Sequence, residues 1–145
     1  MGSVLSIDLA CRTENLGICL LTGSGNSYSA RFLDSSDFHI TDPLRAGDFG
    51  KLVSEYCREE GVRVLIIDGP QAWKDPDSHC PHCRLCEKEL ATPAKTGTEG
   101  VVKPHTWTRF VSFSIEVFNS LVKECGGKLA EGHRIAAPQS GFLAL

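Results

Sequence analysis

The string Val-Leu-x-Ile-Asp occurs twice, as "VLSID" at residues 4–8 and "VLIID" at residues 64–68. Short apolar runs bounded by turn formers read as buried strands. Each run closes on a carboxylate, Asp8 or Asp68, and Gly69 and Pro70 break the second run at once. A carboxylate at the end of a buried strand is costly unless something pairs with it. Any fold for this chain must therefore place two such strand ends.

The surrounding pattern orders the elements. Residues 3–9, 16–22 and 27–33 read as three strands, with "GSGN" at 23–26 as a hairpin turn. Asp48 is the expected N-cap of a helix carrying Phe49, Leu52, Val53, Tyr56 and Cys57 at helical spacing, with Gly61 as its stop. Strand four follows at 62–68. A long irregular segment then runs from Gly69 to about His105, with five prolines and a short helix expected near 84–91. Loops of that length inside a domain are usually functional or disordered. A helix predicted over 106–125 puts Trp107, Phe110, Val111, Ile115, Phe118, Leu121, Val122 and Cys125 on one apolar stripe, read as core. "HRIAA" at 133–137 is the expected start of a last strand.

This order predicts an α/β fold: three antiparallel strands, then a strand parallel to the first, with flanking helices. At 145 residues the chain reads as a single domain, 1–145, with a loop insertion at 69–105. No apolar run approaches ~20 residues, so no membrane partner is expected. The "MGSVLS" start fits a myristoylation pattern, but the first strand occupies the same residues. Seven cysteines without an export signal fit reduced thiols and a cytoplasmic location. A net charge of −3 argues against broad electrostatic binding of nucleic acid, so such a partner would need metal ions or a local basic patch.

Strands one and four, if parallel neighbours ~4.8 Å apart, bring Asp8 and Asp68 together. Two close carboxylates favour a cation between them. Mg²⁺ or Mn²⁺ suits hard oxygen ligands, and such ions serve phosphodiester hydrolysis. The plainer alternative is that each aspartate caps its own turn.

The residues "SIDLACR", "LIIDGPQAWKDP" and "RLCEKEL", followed by a long helix, resemble domain-of-unknown-function family 429 over roughly residues 3–125. The resemblance implies a ribonuclease H-like fold and a predicted nuclease. It assigns the strand aspartates to Asp8 and Asp68, and an Arg-x-Cys-Glu element to Arg84, Cys86 and Glu87. Glu87 would then be a third carboxylate beside the aspartates, and Arg84 would meet a phosphate. The alternative for Arg84 and Glu87 is an exposed ion pair worth ~0.3–0.5 kcal/mol. Family members continue with an acidic residue near a proline, whereas here Ala136 and Ala137 precede Pro138, which suggests a short or truncated member.

"HCPHCRLCE" at 79–87 places Cys80, Cys83 and Cys86 beside His79 and His82. Cys-x-x-Cys turns present two thiolates to one ion, which is the basis for expecting structural Zn²⁺ here. Redox chemistry at "CPHC", an iron–sulfur run and unligated thiols are the competing readings. The function expected is divalent-metal-dependent nucleic-acid hydrolysis, and the alternative is a non-catalytic binding or scaffold module with a zinc loop.

Overall fold

The computed structural model describes residues 2–40, 43–124, 126, 128–129 and 142–144. Three antiparallel strands open the chain: β1 (Gly2–Asp8), β2 (Gly17–Ser24) and β3 (Ser27–Leu33). The two-residue loop Gly25–Asn26 joins the last two, with Gly25 at φ +61°. Helix α1 (Ala46–Glu59) then crosses to β4 (Val62–Asp68), which lies parallel beside β1. The result is the mixed α/β sheet that the sequence predicts, with three antiparallel strands and a fourth parallel to the first. Two short strands, β7 (Lys128–Leu129) and β8 (Leu143–Ala144), extend the sheet beyond β4. Among the described residues its order is β3-β2-β1-β4-β8-β7, so β1 and β4 are central.

Strand alternation decides what is buried. Leu5, Ile7, Leu65 and Ile67 point into the core, while Ser6, Ile66 and the two aspartates point the other way. Val62 and Leu65 are both buried although three residues apart, because the β1–β4 register shifts between Ser3 and Val4 and restores the alternation. The inner face packs on α1 and on α3 (Thr108–Asn119), burying Phe49, Val53, Val117, Phe118 and Leu121 with the strand residues. The outer face carries exposed Tyr28, Phe32, Leu21 and Ile66.

Helix α1 begins at Ala46 rather than after Asp48, and Asp48 falls in its first turn. A carboxylate there still complements the helix dipole. Gly61, at φ +62°, ends the helix as predicted, since the left-handed conformation closes helices with little strain only at glycine. The predicted helix over 106–125 is composite: a 3₁₀ turn at His105–Trp107, α3 itself, and a π turn at Ser120–Glu124. Helices α1 and α3 touch closely at Gly50, where an added Cβ would lie 2.7 Å from the Ser120 side chain. "HRIAA" and Ala136, Ala137 and Pro138 lie outside the described residues, as does Cys125.

The segment 69–105 has more order than its prolines suggest. It holds α2 (Leu85–Glu89) and a hairpin of β5 (Lys95–Thr96) and β6 (Val102–Lys103). Val102 packs with Val111 and Ile115 of α3, and Trp73 and Phe110 flank them. Lys74 is buried, its Nζ donating to the Asp75 carbonyl at 2.7 Å, while its backbone N–H donates to the Gly97 carbonyl at 3.0 Å. No described helix is long and apolar enough to cross a membrane.

Candidate functional site

Asp8 and Asp68 are direct register partners across β1 and β4. In-register residues of parallel strands project to the same face, so both carboxylates leave the sheet together at the C-terminal ends of its two central strands. Both are exposed. Water therefore moderates their repulsion, and no buried charge has to be compensated. Neither carboxylate has a salt bridge or a side-chain hydrogen bond among the described residues. Among the described residues neither caps its turn through an Asx bond. On the other side of β1, Gly17 is the partner of Asp8, and a Cβ at Gly17 would come within 3.2 Å of the Asp8 Cβ.

The turn after Asp68 is held from behind by α3. Ser114, fully buried, donates its Oγ–H to the Pro70 carbonyl at 2.9 Å. A Cβ on Gly69 would sit 2.3 Å from that same Oγ. Gly69 is thus needed for close approach of the helix, and Pro70 offers the carbonyl that the serine holds. The "Asp-Gly-Pro" triplet reads as a docking joint that fixes the end of β4 against α3.

Glu87 lies near this joint but is committed elsewhere. It is 4% exposed. Its Oε1 accepts from Arg84 Nε and Nη2, both at 2.8 Å. Its Oε2 accepts from the backbone N–H of Arg84 at 3.0 Å and of Thr96 at 2.8 Å. Burial by itself would raise this carboxyl, but the hydrogen bonds from Thr96 and Arg84 outweigh it and hold it below the usual carboxylate range. The pair is neither an exposed surface bridge nor a free third carboxylate. It closes the start of α2 onto the β5–β6 hairpin. Arg84 in turn is oriented by Glu87, with a longer bond of 3.4 Å from Nη1 to the Ala72 carbonyl.

Between these elements lies a cavity of about 380 Å³, reached by Asp68, Pro70, Arg84 and Glu87 on one side and by Trp107, Phe110 and Val111 on the other. Trp107 does not continue the core stripe. It is 39% exposed and its ring meets Phe110 edge-on, centroids 6.4 Å apart at 89°. The stripe pattern concealed this role; an aromatic just after Pro104, at the helix entry, was the available signal. Burial raises the Cys11 thiol, and the charge of Arg109, in the first turn of α3, partly offsets this.

The cysteine loop is less convergent. Cys80 is buried, Cys83 half-buried and Cys86 exposed on α2, while His79 and His82 are exposed. Among the described residues no group of three or more His, Cys, Asp or Glu side chains is placed to hold a metal ion. The Arg84–Glu87 pair, buried Lys74 and the Val102 cluster hold other parts of the 69–105 segment.

No protein family, curated protein or solved structure matches the chain.

Proposed function

We propose that the chain is a divalent-metal-dependent hydrolase of phosphodiester bonds in nucleic acid. The observation that carries this reading is the in-register pair Asp8–Asp68, exposed at the ends of the two central parallel strands and without a side-chain partner among the described residues. The donor set suits Mg²⁺ or Mn²⁺: hard carboxylate oxygens, facing water, with two protein ligands. Mg²⁺ typically takes one or two carboxylates and completes its shell with waters and substrate phosphates. A cation held there would supply Lewis-acid stabilisation of the phosphate and a more acidic water. Asp8 and Asp68 would hold the ion, at the ends of two central strands of the sheet. Gly17 leaves room beside Asp8, and Ser114 with Gly69 keeps the end of β4 from shifting. Glu87 acts through Arg84, fixing that side chain in the wall of the adjacent cavity.

The test is a nuclease screen of purified protein on single-stranded, double-stranded and hybrid substrates with Mg²⁺ and Mn²⁺, beside Asp8→Asn and Asp68→Asn. The expected result is cleavage in the parent and none in either variant. Cleavage surviving both substitutions rules out this site.

A second reading has its own support. Glu87, the expected third carboxylate, is saturated by Arg84 and Thr96, which fits a non-catalytic binding module on the same sheet. No cleavage on any substrate, together with metal-independent ligand binding, would establish it. Zinc at Cys80, Cys83 and Cys86 is a separate proposal, decided by elemental analysis of the purified protein.

A further inference from the structure

Resting on the hydrolase reading, the geometry points to single-stranded nucleic acid as the substrate class, with one unpaired base seated against Trp107 in the cavity beside Asp68. The cavity's size comes first. At about 380 Å³ it lies near the lower end of small-ligand pockets, which span ~300–1,000 Å³. That suits one nucleoside and excludes a base pair with its stacked neighbours.

Its chemistry comes second. Pro70, Trp107, Phe110 and Val111 supply apolar walls. Among the described residues Arg84 is the one cation in the wall, and Glu87 matches it at 2.8 Å. A phosphate would find no uncompensated positive charge among these residues, whereas a flat, uncharged ring loses little on entering. Trp107 is 39% exposed and braced edge-on by Phe110, so it presents a positioned aromatic surface. Stacking on such a surface is worth ~1–3 kcal/mol per base and tolerates any base, because each has a π face.

Placement comes third. Asp68 stands at the edge of this cavity and Asp8 stands beside Asp68. A base seated on Trp107 would carry its own phosphodiester toward the carboxylate pair. Bases inside a duplex are paired and stacked and cannot enter without being extruded. The cavity therefore selects unpaired strands or frayed ends.

The experiment uses the full chain carrying Trp73→Phe, which leaves Trp107 as the sole tryptophan. Short single-stranded phosphorothioate oligonucleotides, and the blunt duplex of the same sequence, are titrated in millimolar Mg²⁺ while tryptophan emission is followed. Single strands are expected to quench Trp107 and to bind at least about tenfold more tightly than the duplex. Trp107→Ala should weaken single-strand binding about tenfold, measured by anisotropy of a labelled strand. Trp107→Phe should restore most of it, with circular dichroism confirming that both variants fold. Equal quenching by the duplex, no quenching at all, or unchanged affinity in Trp107→Ala would overturn the inference. Its failure is distinguishable from that of the hydrolase reading. Cleavage that depends on Asp8 and Asp68 but not on Trp107 removes the base site alone. Trp107-dependent binding without any cleavage removes the catalysis alone.

Discussion

Asp8 and Asp68, sixty residues apart in sequence, stand opposite each other in the parallel register of β1 and β4. Among the described residues this exposed pair has no ion-pair or side-chain hydrogen-bond partner, and a bound cation would supply one. Mg²⁺ or Mn²⁺ should therefore raise the melting temperature of the parent protein. Binding to the folded state alone stabilises by about 2.7 kcal/mol at a hundredfold excess over Kd. Asp8→Asn and Asp68→Asn should each lose the metal-dependent rise while melting no lower than the parent without metal. Differential scanning fluorimetry across a metal titration reads both, and a metal response retained in both variants would place the ion elsewhere.

The joint behind Asp68 makes a second prediction. Gly69→Ala would drive a methyl to 2.3 Å from Ser114 Oγ. Overpacking of this kind costs about 1–3 kcal/mol. Ser114→Ala alone would strand the Pro70 carbonyl and cost about 1 kcal/mol. The double variant should be less destabilised than the sum, because removing the hydroxyl relieves part of the clash. Urea unfolding of the four proteins measures the coupling, and strict additivity would mean that the joint does not carry the strain.

Acid sensitivity should concentrate at Glu87. Its carboxyl is held below the ordinary range when folded, so its contribution is fully present above the unfolded value of ~4.3 and is lost as pH falls through the lower folded value. Glu87→Ala should destabilise by about 2–3 kcal/mol at neutral pH, by removing hydrogen bonds to a charged partner and stranding Arg84. The gap between parent and variant should narrow at pH values below about 4. Chemical denaturation at several pH values checks this; a gap independent of pH would remove the ionised carboxylate from the account.

Thiol reactivity should divide the cysteines by burial. Cys57 is 1% exposed and burial pushes its thiol up to about 12, whereas Cys86 is exposed on α2. The thiolate is the reactive form. Site-resolved alkylation followed by mass spectrometry should label Cys86 rapidly under native conditions and Cys57 only after unfolding. Early labelling of Cys57 would indicate local opening of α1.

The sequence by itself determined the strand faces, most of the element order and the positions of both aspartates. Those follow from local periodicity: alternation sends Ile7 and Ile67 inward and Asp8 and Asp68 outward whatever lies beside them. The stop at Gly61 and the short helix after Arg84 are local too. Tertiary structure alone decided three things. It set the β1–β4 register, including a shift at Ser3–Val4 that no periodicity announces, because which strands pair across sixty residues is decided by how the whole sheet packs. It turned Glu87 inward, because its partner Thr96 arrives on a hairpin nine residues later. And it moved Trp107 out of the core stripe. A 3₁₀ turn advances about 120° per residue where an α-helix advances about 100°, so a stripe extrapolated backward through His105–Trp107 loses its face. The same turn leaves the indole exposed at the cavity beside Asp68.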